Sequence, residues 1–386
     1  MPESPKSPKA KLPETVVALG VVSLLNDAAS EMIYPLLPAF IATLGGGPEA
    51  LGIIEGVADA TAALLKMISG VIADRAGRLK ALALGGYTLA NALRPLIALA
   101  TSWWHVLAVR WGDRIGKGIR TTPRDALLAS ATPKEQLGRA FGFHRAMDNA
   151  GAFIGSGIAA LLLWQNVPMA RIFAWTAIPG GLAVLLLAFW VKDAPSKISA
   201  RVEIGLAPSR PYRQLLVAIV VFTLGNSSDA FLLWRARELG VPLVFAPLLW
   251  LVLNASKSAT STWGGALSDR FGRRPPILAG WAVYAAVYAG FAFANAPWHA
   301  WALFAVYGLY FGLTEGAEKA FIVDLVAPEW RGRALGAYHA AVGLAALPAS
   351  AAFGAVYKFA GPHVAFSIGA GLAACAALVL PRHVRE

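Results

Sequence analysis

The sequence predicts an all-α integral membrane protein with twelve transmembrane helices in two pseudo-symmetric six-helix bundles. Three observations predict it. Of the 386 residues, 57% are hydrophobic and only 15% charged, with a mean hydropathy of +0.57; a soluble domain is nearer half apolar and a quarter charged. Twelve spans of about 20 apolar residues use roughly 240 to 265 positions, which leaves the remainder for loops and tails. Basic residues recur in alternate short segments between the apolar runs, and short motifs recur at a nearly constant separation. These features exclude an ordinary soluble enzyme, a disordered chain and a nucleic-acid module. The net charge of +12 is read as membrane topology, because of where the basic residues fall.

In chain order, residues 1–13 form a polar tail with Lys6, Lys9 and Lys11. The apolar stretch after it is too long for a signal peptide and lacks an A-x-A-like cleavage site, so the tail is expected to be cytoplasmic. Span 1 is expected at 15–43 and ends at the turn GGGPEA (45–50). Span 2 (51–73) ends at a basic turn, and span 3 (80–100) and span 4 (103–127) follow. Spans 5 and 6 are expected at 140–164 and 170–191, before a polar linker at 192–213. The second set falls at 214–236, 243–267, 276–296, 299–323, 334–357 and 363–381, with NAPWHA (295–300) as one of its turns. The expected organisation is a tail 1–13, one bundle over 14–191, the linker 192–213, and a second bundle over 214–386.

Orientation follows from Lys and Arg. One set of loops carries Arg75, Arg78 and Lys80; Lys134 and Arg139; Lys192 to Arg213; Arg270, Arg273 and Arg274; and Arg331 and Arg333. The alternate loops hold few, chiefly Arg171, Arg237 and Lys358. The even-numbered loops and both termini are therefore expected in the cytoplasm.

Two segments repeat. GVIADRAGR (70–78) returns as GALSDRFGR (265–273), and TPKEQLGRAFGFH (132–144) as APEWRGRALGAYH (327–339), each at an offset near 195. NDAAS (26–30) has a weaker echo in NSSDA (226–230). The doubled G-x-x-x-D-R-x-G-R loop, once after span 2 and once after span 8, resembles the signature of the major facilitator superfamily, and the resemblance covers the whole chain. It implies a twelve-span fold, substrate binding between the halves near the midplane, and helix ends tied together by the signature. By match these are Gly70, Asp74, Arg75, Gly77 and Arg78, and Gly265, Asp269, Arg270, Gly272 and Arg273. In span 4, Arg110 and Gly116 match the family's R-x-x-x-G-x-G, linked to proton coupling, with Arg114 where its first glycine is expected. In span 5, Gly151 and Gly155 of GAFIGSG resemble a glycine motif of antiporters, with Ser156 in place of its proline.

Charges inside spans are costly and mark candidate sites. At 100° per residue, Arg110, Asp113, Arg114, Lys117, Arg120 and Arg124 fall within an arc of about 120°, a cationic stripe along span 4. Either the stripe meets an anionic substrate, or it pairs with acids on spans 1, 2 and 5. Asp27 and Glu31 share one face of span 1, where a carboxylate can carry a proton. Asp59 is deep in span 2, whereas Glu55 is expected at its solvated end. In the second half, Asp229 and Glu315 are candidates, and Glu315 corresponds to Arg120 through the repeat. These two are expected to pair across the pseudo-two-fold axis.

The sequence therefore reads as a proton-coupled secondary transporter of a small organic solute, anionic or zwitterionic, working by alternating access. The alternative is an exporter of lipophilic cations or mixed drugs, with a metal-ion transporter third. No enzyme, nucleotide or cofactor motif is found. One cysteine and six histidines offer no metal-ligand spacing. The expected partners are the solute, protons and the lipid bilayer, not nucleic acid; the expected setting is a bacterial inner membrane, as a monomer.

Overall fold

In the computed structural model the chain folds into helices alone among the described residues, which are 11–76, 78–133, 136–193, 209–327 and 330–381. Side chains are described at all of these except 67, 70–76, 262 and 332. The twelve expected passes are present. They are span 1 (Glu14–Thr43), span 2 (Pro48–Ala76), span 3 (Leu79–Leu99), span 4 (Trp103–Ser130), span 5 (Leu137–Trp164) and span 6 (Met169–Phe189). Span 7 (Arg210–Glu238), span 8 (Leu243–Phe271), span 9 (Arg274–Phe293) and span 10 (Pro297–Asp324) follow. Spans 11 and 12 run as Arg331–Val379, broken at Gly361. There φ is +85°, a conformation glycine adopts without a Cβ clash. Proline opens spans 2 and 10, where the amide it lacks would have no helical partner anyway.

Eight helical stretches among the described residues are long and apolar enough to cross a membrane on length and composition, the last of them holding spans 11 and 12. Spans 2, 4 and 10 are not among these. All three carry ionisable side chains toward the interior, where the other spans shield them from lipid.

The packing repeats between halves. Spans 1 and 5, 1 and 6, 2 and 4, 3 and 4, and 3 and 6 are neighbours in the first bundle. In the second bundle span 7 packs on the 11–12 helix, and spans 8 and 10, 9 and 10, and 9 and 12 pair in the same way. The bundles meet where span 2 packs on span 11 and span 5 on span 8, an exchange of equivalent helices that a two-fold axis requires. Small residues make these approaches close: a Cβ on Gly151 or Gly155 of span 5 would strike the Leu24 or Ala28 carbonyl of span 1.

The two cores differ. The second bundle is packed with aromatic side chains, among them Phe222, Trp281, Tyr284, Tyr288, Phe304 and Phe366. The first is aliphatic around Leu19, Val22, Leu79 and Leu187, and buries Asn26, Glu55, Arg94, Arg110 and Asp113. One end of the molecule, here the basic-loop end, holds the turns near residues 78, 131–133, 272 and 325–327; the far end holds the turns near 45, 101, 166, 240, 295 and 361.

Candidate functional site

The buried polar groups of the first bundle sort into two sets. The first is an ion-pair network centred on Asp113. Arg94 Nε of span 3 donates to Asp113 Oδ1 at 2.7 Å, and its Nη1 donates to the Asn26 carbonyl, Asn26 Oδ1 and Asn91 Oδ1, each at 3.0 Å. Arg110 donates to Glu55 at 2.5 Å, and Asp113 lies 4.0 Å from it. These groups are no more than 5% exposed. Glu55 is therefore not at a solvated end: it is 1% exposed, because Arg110 draws it inward across the span 2–span 4 contact. Asp113 and Arg110 are spent on this network, so they do not open onto a cavity. Arg94 escaped the sequence reading, though a lone arginine three residues after Asn91 in an otherwise apolar span was a usable signal.

The second set lines the space between the bundles. A cavity of about 210 Å³ is walled by Asp27, Ser30, Glu31, Tyr34, Arg94, Arg114, Lys117, Arg120 and Trp250. Thus Arg114, Lys117 and Arg120 of the stripe do share a wall with both carboxylates of span 1. Asn26 positions this wall: its Oδ1 accepts from Arg120 Nη1 at 2.9 Å, and its Nδ2 donates to Asp27 Oδ1 at 2.9 Å. Arg120 also lies over the Tyr87 ring, 4.4 Å from its centroid. The Nε atoms of Arg114 and Arg120 are buried without a hydrogen-bond partner. Arg124, lower on the same stripe, is taken by Asp125 at 2.7 Å.

A second compartment of about 330 Å³ shares Tyr34 and holds Asp59, Lys66, Asp229 and His339. Asp229 Oδ1 accepts from the Tyr307 hydroxyl at 2.8 Å. It stands at a break within span 7. Span 7 is two helices, Arg210–Gly225 and Ala230–Glu238, with Asn226 to Asp229 unwound between them. The break is held by other spans: Tyr284 Oη donates to the Gly225 carbonyl at 2.8 Å, and Ser228 N donates to Ser350 Oγ at 3.3 Å. A third compartment of about 480 Å³, nearer the basic-loop end, is lined by Arg145, Lys257, Glu315 and Lys319, and shares Phe311 with the second. Glu315 lies 3.7 Å from Arg145 and 3.5 Å from Lys319. Its expected pairing with Arg120 is not formed, because Asn26 and the Tyr87 ring hold Arg120 within the first bundle.

The cavity is sealed at the far end. Trp250 Nε1 of span 8 donates to Glu31 Oε2 at 2.6 Å, the Tyr34 and Ser228 hydroxyls lie 3.4 Å apart, and Lys358 Nζ pairs with Glu49 at 2.8 Å; each contact joins the two bundles. Toward the basic-loop end the walls are wetter, with the Arg145 side chain 60% exposed.

The signature loops lie at the basic-loop end. Arg273 bridges Asp269 at 2.5 Å and Asp324 at 2.8 Å, which ties the span 8–span 9 turn to the end of span 10. The hydrogen bonds it donates to Asp324 and then Asp269 hold its guanidinium above the usual range. Arg270 instead lies over the Phe271 ring, Gly265 has open space around it, and Gly272 ends span 8 at φ +84°. In the first copy, Arg78 is exposed at the start of span 3 and Gly70 lies within span 2. Gly77 lies outside the described residues, as do the side chains of Asp74 and Arg75. Gly116 packs against the Gly86 carbonyl, which brings spans 3 and 4 together. Among the described residues no group of three or more His, Cys, Asp or Glu could hold a metal ion.

Comparison with known proteins gives one family. The model described as Major Facilitator Superfamily matches residues 19–346 and 215–386. An uncharacterized MFS-type transporter of Methanocaldococcus jannaschii is 34% identical over 381 residues, covering 96% of this chain and 95% of the relative. The multi-drug resistance efflux pump PmrA of Streptococcus pneumoniae is 25% identical over 314 residues, 76% of each chain. The crystal structure of the nucleoside transporter NupG superposes with a TM-score of 0.79 at 13% identity, covering 95% of this chain and 98% of that one.

Proposed function

The chain belongs to the major facilitator superfamily of membrane transporters and is not an enzyme, and from that premise we propose that it is a proton-coupled secondary transporter of a small organic solute bearing negative charge. One observation carries the substrate class: Arg114, Lys117 and Arg120 wall a central cavity, with two buried guanidinium nitrogens left unpartnered. Arg94, Arg110 and Arg124 have carboxylates at 2.5 to 2.7 Å and serve structure instead, whereas Arg114 lies 3.9 Å from the Asp113 that Arg94 already holds. Arg114, Lys117 and Arg120 share the wall with only two carboxylates, Asp27 and Glu31, so the cavity keeps a positive surplus that an anionic group from outside can meet. Asp27 and Glu31 share the wall and are the proton carriers of this reading.

The positive-inside rule supports placing the basic-loop end and both termini in the cytoplasm. A bacterial inner membrane and a monomer fit that topology. The working units are the bundles 14–191 and 214–386, joined by 192–213. With the far end sealed, the state is inward-facing, and the cycle is a rocking of one bundle against the other. The second reading, export of lipophilic cations, is favoured by the efflux-pump relative and by Asp229 beside Tyr307.

Proteoliposomes loaded with a pH-sensitive dye separate the two readings. Organic anions are expected to trigger proton flux that Lys117→Ala and Asp27→Asn each abolish. Flux triggered only by cations, intact in Lys117→Ala, would leave the second reading standing alone.

A further inference from the structure

The two compartments that share Tyr34 carry opposite surplus charge. In the first, Arg94, Arg114, Lys117 and Arg120 stand with Asp27 and Glu31. Arg94 is matched by Asp113 behind the wall. With the carboxylates ionised, one positive charge is left over. In the adjoining compartment Asp59 and Asp229 face Lys66 and His339, and with the imidazole neutral one negative charge is left over. No cation stands at ion-pair distance from Asp229 among the described residues; its partner is the Tyr307 hydroxyl.

The backbone beside Asp229 is also unusual. Asn226, Ser227, Ser228 and Asp229 all line the compartment, and all four lie in the unwound turn of span 7. Non-helical backbone at membrane depth is tolerated where it lines a cavity, and there it presents carbonyls and short polar side chains to a ligand. The related segment in the first bundle, NDAAS, stays helical to Glu31. There Asn26 is occupied with arginines, whereas here Asn226 and Ser227 contact the Tyr310 and Tyr288 hydroxyls. The Tyr34 and Phe311 rings line the compartment with Asp229, and rings with a carboxylate suit an ammonium group, which is drawn to aromatic faces as well as to negative charge.

Resting on the anion-carrier reading and narrowing it, we propose that the cavity takes a dipolar organic solute, its anionic group on Arg114, Lys117 and Arg120 and its ammonium group on Asp229 and Asp59 at the unwound turn of span 7. The anionic contacts belong to span 4 of the first bundle and Asp229 to span 7 of the second, with Asp59 of span 2 lining the same compartment as Asp229. Binding of such a solute therefore bridges the halves that must rock, and a molecule with only one of the charges leaves a surplus charge in the cavity unmet.

The test is binding to the purified full chain, by thermal shift and titration, of matched triplets. Each triplet is an amino acid or betaine, the acid lacking its nitrogen, and the amine lacking its carboxylate; phenylalanine, 3-phenylpropanoate and 2-phenylethylamine form one. In at least one triplet the dipolar member is expected to bind about thirtyfold tighter than both others, the usual cost of leaving a buried charge unpaired. Asp229→Asn is expected to bring the dipolar-to-acid ratio toward one, and Asp229→Glu to recover part of it. If the acid matches the dipolar member throughout and Asp229→Asn leaves the ratio unmoved, the dipolar assignment fails while the anion carrier stands. If the amine binds tightest and Lys117→Ala has no effect, both fail. If no member of any triplet binds, the dipolar assignment is overturned, and the anion-triggered flux decides the rest.

Discussion

At the scale of the residue, what matters is whether a buried charge is matched by its own fold. Arg94 and Asp113 are 3% and 2% exposed and answer each other at 2.7 Å. Removing one partner of such a pair costs about 3–5 kcal/mol, since the other is left buried and uncompensated. Arg94→Gln is therefore expected to lower the melting temperature in detergent by more than about 5 °C. Asp27→Asn, at a wetter wall, is expected to melt within a few degrees of wild type and to lose proton flux. Equal melting of the two variants would remove the division between structural and cavity charges. That division was only half legible in the sequence. Helical periodicity placed Asp113, Arg114 and Lys117 on one face of span 4, and the structure keeps them there. Which of them meets a partner depends on spans 1, 2 and 3, and a single-helix projection holds no information about those neighbours.

At the scale of the element, most spans were legible because the bilayer demands long apolar runs, written in the sequence without reference to tertiary contacts, while the more charged spans 2, 4 and 10 were legible through the turns that bound them. The break in span 7 was legible only in part. Gly225 followed by Asn226, Ser227, Ser228 and Asp229 favours a turn over a helix, but the apolar runs on either side read as one span. The lost helical bonds are replaced by Tyr284 from span 9 and Ser350 from span 11, which only the assembled bundle supplies. Glycine behaves likewise: its role is readable in outline, but its partner is not. Gly155 faces the Ala28 carbonyl of span 1, whereas Gly157, one residue beyond Ser156, has open space around it. Gly155→Leu is expected to cost about 1–3 kcal/mol or more by overpacking and to cut the folded yield on size exclusion. Gly157→Leu is expected to leave that yield near wild type. A reversed order would mean that the span 1–span 5 contact is not the close one.

At the scale of the whole molecule, the bundles are held at the far end by three polar contacts of unequal strength. Glu31–Trp250 and Tyr34–Ser228 lie at the cavity roof, whereas Glu49–Lys358 is an outer pair with side chains 30% and 46% exposed. An exposed ion pair contributes about 0–1 kcal/mol, so neutralising it with Glu49→Gln is expected to shift the balance of states less than about fivefold. Glu49→Lys goes further, because it sets two cations against each other at a contact of 2.8 Å in the wild type. A reporter is available in Ser350, which lines the cavity beneath this end and is 2% exposed while the end is sealed. In a Cys375→Ser, Ser350→Cys background, a membrane-impermeant maleimide added at the far side is expected to label about fivefold faster after Glu49→Lys. Adding Lys358→Glu reverses both charges and is expected to restore the slow rate. Faster labelling that the second change does not reverse would mean that local loosening, not a shift between two arrangements of the bundles, exposes the site. The rocking cycle requires a reversible shift, because a ligand or proton can drive transport only by favouring one arrangement over the other.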